Sequence, residues 1–600
     1  MIIGRISEVS GIRVTATFFD RLPPHLLTKG RVIQSPQINS YVKTRVGLDT
    51  VVCQVVGEHE IEFSRKDRSI PAYVEPDGSF LVDLEVRGRI VGTEFLGGLR
   101  CLPIVGAKVE LMGESDLAAL FTLKDSALRV GVNLFDSSVP VSLNANKLIP
   151  SHIGIFGNTG SGKSNTLAKI IKEYVRIIPT GSSAAKLLIF DLNNEYGLNA
   201  IVNEDQKKVY CLSTRRQSAT IPNDEKLPIN FSVLTHDNWG TILRATQKTQ
   251  MPVIRRAFRR WHDGLSAGDC ITEIKRILLN KRYQVFFTLR EYAGEYFSGI
   301  DRISFNQTTN SFYYPPSSKK QYIESLNHIR DIRLIGTPDT LTMFLLSLIF
   351  EVSRSSESGT NFDYVQPLLP RAYDAIKDLN KMFYQDDNAT MHTLFEDTLL
   401  TVIQLGNVNS GMRETIPSLL SELIFQDAVE KHVDIEIKQI VSIVIDEAHN
   451  LLGKDSEQND IIHDNTLRVF EKVIKEGRKF GVYLYLASQR PSDISSTITS
   501  QIHNFFIHKL VNPNDIDRIR RTVSFMGDSS LSMLTALGQG ECIISGTALI
   551  MPQYAYIDEL DAGSKPKSKD AVLFGENGIF NNGTNEAAII AANNEEWDFL

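Results

Sequence analysis

The sequence predicts an α/β protein with two further parts, an all-β domain at the N-terminus and an α-helical insertion within the α/β core. Three observations support this prediction. Residues 157–164 read GNTGSGKS, which is a complete phosphate-binding loop. Residues 441–449 read VSIVIDEAH, an apolar strand followed by two acidic residues. These two motifs lie much further apart than neighbouring strands of a compact βαβ unit require.

The N-terminal part, residues 1–115, is predicted to be all-β. Short segments of alternating apolar and polar residues recur there between glycines, a spacing typical of a small barrel. The segments are 41–46, 51–56, 80–86 and 89–92. Residues 116–150 are expected to form a connector into the α/β core.

The phosphate loop has the context that its chemistry requires. An apolar run at 152–156 precedes it, and residues 165–178 follow with helical spacing. Glycines let backbone N–H groups surround phosphate oxygens, and the helix N-terminus adds positive potential. Lys163 is expected to reach the β- and γ-phosphates, and Ser164 to hold Mg²⁺. The predicted nucleotide-binding residues are Gly157, Asn158, Thr159, Gly160, Ser161, Gly162, Lys163, Ser164 and Asn165.

The second motif completes the predicted catalytic site. The run 443–445 is typical of a central parallel strand, so Asp446 and Glu447 fall at the strand end where open α/β sheets bind ligands. An isolated Asp-Glu pair is usually solvated surface, but a strand before it and a phosphate loop in the same chain favour catalysis. We expect Asp446 to hold Mg²⁺ and Glu447 to polarise the attacking water.

The remaining segments follow from this frame. Helix-spaced apolar residues recur through 232–435, including 391–405, which predicts an inserted α-helical subdomain. The core then consists of 151–231, with a second strand at 186–190, and of 436–560. Residues 561–600 change in composition and are expected to form a partly mobile tail.

Composition excludes several classes of protein. The net charge of −7 argues against a broad DNA-binding exterior, although it allows a basic channel. The N-terminus lacks a signal-peptide pattern, and the longest apolar stretch, 341–352, is too short to span a bilayer. We therefore expect a cytoplasmic protein without a membrane partner. The five cysteines and twelve histidines show no ligand spacing, so nucleotide-bound Mg²⁺ is the only metal expected.

Several motifs together resemble the HerA family, which belongs with the FtsK-like DNA translocases. They are the segment from 151 to 165, GRKFG at 477–481 and ASQRP at 487–491, in the setting of a barrel and a helical insertion. The resemblance covers about 1–555. It implies a RecA-like ATPase motor with an N-terminal HAS-type barrel, assembled as a homo-hexamer. It also implies that ATP is hydrolysed between subunits and that double-stranded DNA lies in the channel.

The resemblance extends to the loop after the second strand. Residues 191–196 read DLNNEY and match a family motif D-x-x-G-E-Y. The match assigns catalytic roles to Asp191 and Glu195. Asn194 stands where the family has glycine, which leaves the shape of the loop open.

Two further catalytic roles come from the resemblance. Gln489 follows an apolar strand and matches a sensor of the γ-phosphate. Arg478 matches the arginine presented to the neighbouring subunit's nucleotide, where delocalised positive charge would stabilise phosphoryl transfer. Arg490 remains an alternative for this finger.

Family members work with effectors, either a nuclease or a sirtuin-like NADase, and some act in antiphage defence. This chain has no such motif of its own, so the effector would be another protein, docked through the barrel or, alternatively, the tail with Trp597 and Phe599. Two functions stay open: a DNA-translocating motor, and an ATP-gated scaffold that activates an effector with little or no translocation. Two basic clusters, 255–261 and 275–282, could line a channel, form a solvated helix face or form a protein-docking surface.

Overall fold

The computed structural model describes most of residues 1–566. The gaps are 20–22, 24, 29–30, 61–79, 122–126, 138, 180–181, 198, 216–224, 316–320, 330–331, 356–361, 397, 433–435, 454–460 and 524–527. The tail predicted at 561–600 therefore lies almost wholly outside the described residues. Within the described ranges, no helix combines the length and the apolar character that crossing a membrane requires.

The N-terminal domain is a closed barrel of six antiparallel strands. Strand order runs β2-β1-β9-β5-β6-β7, and β7 pairs back onto β2. Alternate residues of these strands point inward and are buried, as the alternating sequence requires. The elements are β1 Ile2–Ser10, β2 Arg13–Phe18, β3 His25–Thr28, β4 Arg31–Gln34, β5 Tyr41–Val46, β6 Asp49–Glu60, β7 Phe80–Val91, β8 Glu94–Gly97, β9 Lys108–Leu111 and α1 Glu114–Phe121. The predicted barrel is confirmed, and two of its predicted segments, 80–86 and 89–92, merge into the single strand β7, which ends at Val91.

The α/β core is built on an eleven-stranded sheet. Its first strands and helices are β10 Ala127–Asn133, β11 Pro140–Asn144, α2 Ala145–Leu148, β12 Ile153–Phe156, α3 Lys163–Ile177, β13 Ala185–Asp191 and β14 Lys207–Ser213. Its later elements are β22 Leu400–Asn407, α12 Ser410–Lys431, β23 Ile440–Ile445, α13 His449–Leu452, α14 Ile461–Phe480, β24 Val482–Ser488, α15 Ser496–Thr499, β25 Asn504–Ile507, α16 Pro513–Thr522, α17 Asp528–Met533, β26 Glu541–Gly546 and β27 Gln553–Ile557.

The sheet has a parallel half that positions the functional residues. Strand order is β11-β10-β27-β26-β25-β12-β24-β23-β13-β22-β14, and the strands from β25 to β14 are parallel. Every residue of β12, β13 and β24 is buried, because helices cover both faces of a parallel sheet. All the carboxyl ends of these strands meet at one edge.

The long segment between β14 and β22 carries the insertion. It contains β15 Leu227–Ile229, α4 His236–Ile242, α5 Met251–His262, α6 Ala267–Leu279, α7 Tyr283–Ala293, β16 Phe297–Ser298, β17 Ser304–Asn306, β18 Ser311–Tyr314, β19 Gln321–Tyr322, β20 Arg333–Leu334, α8 Thr340–Ser355, α9 Phe362–Val365, α10 Leu368–Met382, β21 Phe383–Gln385 and α11 Met391–Phe395. The insertion is largely helical, as the sequence predicts. Its short strands were not predicted.

Two details differ from the sequence prediction. The helix predicted at 391–405 is wrong, because among the described residues of this range only α11 is helical, and β22 pairs in the core sheet between β13 and β14. A short apolar run of this kind fits a buried strand as well as a helix. Likewise β10 and β11, from the predicted connector 116–150, extend the core sheet beyond β27. The predicted domain boundaries remain predictions, but these three strands belong to the sheet.

Candidate active site

Four neighbouring strands bring the predicted catalytic residues to one edge of the sheet. The phosphate loop follows β12, Gln489 follows β24, and the acidic pair follows β23. Asp191 ends β13, the next strand along. Because parallel strands end together, residues far apart in sequence converge here, at the ligand-binding edge of an open α/β sheet.

The phosphate loop needs glycine at its last turn. Gly162 has φ of 108°, a left-handed conformation, and directly precedes the first residue of α3. A Cβ at Gly162 would lie 3.1 Å from the backbone nitrogen of Gly540. The N–H of Gly540 in turn donates to the carbonyl of Ser161 at 3.0 Å. The loop is therefore braced by the turn before β26.

Lys163 lies inside the loop. Its residue is 6% exposed, and its Nζ donates to the carbonyl of Asn158 at 3.1 Å. Burial lowers the pKa of Lys163, while the carboxylates of Glu447, Asp446 and Glu195 act in the opposite direction. An ammonium group surrounded by three carboxylates can attract a polyphosphate carrying a divalent cation.

The groups that could hold Mg²⁺ face each other across the site. The hydroxyl of Ser164 lies 3.5 Å from Oδ2 of Asp446. The same oxygen accepts a hydrogen bond from the Tyr196 hydroxyl at 2.5 Å. Oxygen ligands from one hydroxyl and one carboxylate, with phosphate oxygens and water, are the donor set that Mg²⁺ prefers. The residues present therefore fit nucleotide-bound Mg²⁺.

Glu447 is held beside the loop by Gln489. The side-chain amide of Gln489 donates to both carboxylate oxygens of Glu447 at 3.1 Å, and its carbonyl accepts from Thr159 at 2.5 Å. His449 Nδ1 lies 3.3 Å from Oε2 of Glu447. Glu447 has φ of 50°, a conformation that costs energy and that is common at functional sites. Gln489 thus links the carboxylate to the phosphate loop.

The loop after β13 has a defined shape. The carboxylate of Asp191 accepts the backbone N–H groups of Glu195 and Tyr196, both at 2.9 Å. Asn194 has φ of 63°, so it adopts the left-handed conformation that the family's glycine allows, and asparagine tolerates this region well. Its Oδ1 accepts the N–H of Gly406 at 3.0 Å. The substitution of glycine by asparagine therefore keeps the loop.

Burial and neighbouring negative charge shape the acid–base properties here. Burial, followed by the charge of Asp446, raises the pKa of Glu195 to about 7. Burial also raises the pKa of Asp191, against the backbone hydrogen bonds that lower it. Perturbed carboxylates beside a phosphate loop are typical of a functional site.

The three remaining predicted residues differ in their positions relative to the site. Arg478 is exposed near the end of α14, just before the first residue of β24, and so lies at the opposite edge of the sheet. Arg490 is beside the site, with its guanidinium 3.7 Å from Asp493. The side chain of Asn165 bonds the backbone of Asp558 and Leu560, each at 3.2 Å. Its predicted contact with nucleotide would have to come from its backbone.

The sequence prediction assigned no role to two groups that support the site. His508 is fully buried, and its ring nitrogens bond the hydroxyl of Thr166 and the carbonyl of Glu541, each at 2.9 Å. Burial lowers the pKa of His508 to about 4, so the ring is neutral. Lys207 is also buried, with Nζ donating to the carbonyl of Tyr196 at 3.0 Å. His508 directly follows a strand, which was the one available signal.

The basic clusters of the insertion are partly used inside the protein. Arg256 and Arg260 lie 3.4 and 3.6 Å from the buried carboxylate of Glu351. Arg260 also contacts Glu273, which is buried too, at 3.1 Å. Arginines that are paired with buried carboxylates interact less strongly with a phosphate backbone. This favours a structural role for these two arginines.

Comparison with known proteins gives matches along most of the chain. Residues 128–351 match the family model described as "Helicase HerA, central domain". The DNA double-strand break repair helicase HerA of Sulfurisphaera tokodaii is 26% identical over 476 residues, which cover 77% of this chain and 76% of that protein. The protein of the same name from Sulfolobus acidocaldarius is 26% identical over 477 residues, with the same coverage. Among solved structures, the plasmid coupling protein TrwB with a GTP analogue aligns at a TM-score of 0.41 and 13% identity, covering 73% of this chain and 91% of that one.

Proposed function

Since the chain belongs to the HerA family and is an ATPase of that family, we propose that it is a ring motor that couples ATP hydrolysis to the translocation of double-stranded DNA. One observation carries the proposal. Lys163, Asp446, Glu447 and Gln489 converge at one sheet edge around a complete phosphate loop. Its curated relatives named above are DNA double-strand break repair helicases.

Each group has a task that its position suits. The loop's N–H groups and Lys163 bind the β- and γ-phosphates, and Ser164 and Asp446 hold Mg²⁺, which when bound offsets negative charge on the phosphates. Glu447 accepts a proton from the attacking water. Gln489, bonded to both Glu447 and Thr159, orients that water and senses whether a γ-phosphate is in the loop.

The motor is a homo-hexamer in this proposal, as the family resemblance implies, and its arginine finger comes from a neighbouring subunit. Arg478 stands at the sheet edge away from its own phosphate loop, so it can reach a nucleotide only in a neighbouring subunit. Heterologous contacts of this kind form a ring when the rotation between subunits closes. The channel of such a ring would hold the DNA.

The barrel is proposed to carry an effector, a nuclease or an NADase, that the motor loads or activates in DNA processing or antiphage defence. The barrel contributes none of the described site residues, so its exposed face is free for another task. In the segment 98–105, which follows β8 of the barrel, the side chains of Leu99, Ile104 and Val105 are each more than half exposed. Apolar side chains exposed together are typical of protein contacts.

The test of the motor is the ATPase rate of the purified protein with and without linear double-stranded DNA, together with displacement of a triplex-forming strand. Stimulation by DNA and displacement that requires hydrolysis are expected. A rate that DNA leaves unchanged, with no displacement, would contradict translocation. Single-stranded DNA of the same sequence serves as the control for duplex specificity.

The second candidate is an ATP-gated scaffold that assembles and activates an effector with little or no translocation. The net charge of −7 and the internal ion pairs of Arg256 and Arg260 favour it. For a scaffold, ATP turnover would respond to the effector and not to DNA. Measuring the rate with each added alone separates the two functions.

A further inference from the structure

Tyr196 is buried at the centre of the site without a task in the roles proposed so far. Its residue is 1% exposed, and its hydroxyl donates to Oδ2 of Asp446 at 2.5 Å. The hydroxyl of Ser164 faces the same oxygen. The backbone N–H of Glu447 donates to the other oxygen, Oδ1, at 2.8 Å. Groups of the chain itself therefore hold the Asp446 carboxylate from both sides.

The position of Tyr196 is fixed by three strands other than the one that precedes Asp446. Asp191, at the end of β13, accepts its N–H at 2.9 Å. Gln404, on β22, donates to Asp191 at 3.3 Å. Lys207, on β14, donates to the Tyr196 carbonyl at 3.0 Å. The position of the Tyr196 hydroxyl, and with it the orientation of the Asp446 carboxylate, therefore depends on strands β13, β22 and β14.

We propose that Tyr196 is a positioning residue that orients Asp446 toward nucleotide-bound Mg²⁺, a role that rests on the proposed ATPase function. A carboxylate that binds an ion directly or through water must point in one direction, and its hydrogen-bond partners set that direction. Asp446 is 6% exposed. Without the Tyr196 hydroxyl, Oδ2 of Asp446 loses its shortest hydrogen bond. The carboxylate is then free to turn away from Ser164.

The test is the Mg²⁺ dependence of nucleotide binding by the full chain, without DNA. A fluorescent, non-hydrolysable ATP analogue is titrated with Mg²⁺ against wild type and Tyr196→Phe. The Mg²⁺ concentration for half-maximal tight binding is expected to rise about tenfold or more, the usual effect of removing a partner of a metal-binding carboxylate. Affinity for the analogue in EDTA should stay within about twofold, because the phosphate loop is untouched.

Tyr485→Phe is the matched control. Tyr485 is equally buried, on β24, and its hydroxyl donates to the carbonyl of Ile149 at 2.8 Å, away from the carboxylates. Its removal should leave the Mg²⁺ midpoint unchanged. A folded Tyr196→Phe with the wild-type midpoint would overturn the role.

A second variant covers loss of folding in Tyr196→Phe. Gln404→Leu removes the bond to Asp191 and leaves the tyrosine hydroxyl in place, so a smaller rise in the Mg²⁺ midpoint is expected. If Tyr196→Phe does not fold, an unchanged midpoint in Gln404→Leu overturns the role instead. Because the measurement needs no DNA, failure of wild type to translocate would refute the motor and leave this result intact.

Discussion

Arg478 gives the sharpest prediction about how the site is completed. It precedes β24, and the site lies beyond the far end of that strand. Seven residues at about 3.3 Å each put about 20 Å of strand between Arg478 and its own Gln489. An arginine side chain cannot cover that distance, so the proposed finger role of Arg478 requires the nucleotide of another subunit.

The experiment mixes two variants that are each expected to be inactive, Lys163→Ala and Arg478→Ala. Lys163→Ala removes the charge that binds the phosphates, and loss of a finger costs about 10³-fold in rate. In a randomly mixed ring at equal amounts, about one interface in four pairs an intact loop with an intact arginine. The steady-state ATPase rate of the mixture should therefore recover toward about a quarter of the wild-type rate, if interfaces act independently.

Arg490 supplies the control, because it lies beside the site of its own chain and pairs with Asp493. Arg490→Ala alone should keep most of the activity. Subunit exchange is verified by fluorescence transfer between labelled proteins. Absence of rescue despite exchange would refute a finger in trans at Arg478. An Arg490→Ala protein that is inactive alone but regains activity when mixed with Lys163→Ala would move that role to Arg490. A monomer at micromolar concentration by light scattering would refute the ring altogether.

The remaining predictions concern catalysis, stability and docking. Glu447→Gln should bind ATP with Mg²⁺ yet lose turnover, since an amide is a poor base while Asp446 is unchanged; wild-type turnover in this variant would remove Glu447 from its role. The pKa of His508 is lowered from 6.5 to about 4. The neutral ring therefore contributes its full stability to the fold above pH 6.5, and about 3 kcal/mol of that stability is lost as pH falls through 4. His508→Gln should lose that part of the pH dependence of thermal unfolding, and an unchanged profile would contradict a neutral His508. A protein starting at residue 116 should still bind ATP but assemble less firmly and lose its effector in pull-downs, whereas loss of binding on trimming 561–600 alone would assign docking to the tail.

The parts of the site that sequence predicts are those encoded locally. The phosphate loop between β12 and α3 and the acidic pair after β23 each combine a motif with its flanking elements, so a short stretch of sequence specifies both residue and position. The helical character of the insertion followed from apolar spacing for the same reason. The strand β22 did not, because a buried run such as LTVIQL fits either period.

The sequence did not predict the contacts between distant segments of the chain. The bond between Thr166 and His508 joins residues 342 positions apart, and that between Tyr196 and Asp446 joins residues 250 apart. The strand before His508 places it at the ligand-binding edge of the sheet but does not show that it lies against the phosphate loop. Such contacts depend on strand order in the sheet, which places β25 beside β12 and β13 beside β23.

The charge balance of the site links these observations. Glu195, Asp446 and Glu447 all act on the ammonium of Lys163, and burial together with the neighbouring carboxylates raises the pKa of Glu195. Mg²⁺ would offset part of the negative charge when ATP binds, but the charge that develops on the transferring phosphoryl group needs a further cation. Arg490, beside the site, already lies against Asp493. A guanidinium from a neighbouring subunit would meet this need, and it would do so only when the subunits are docked. Hydrolysis would then be confined to assembled interfaces, so a dissociated chain should bind ATP and hydrolyse it very slowly.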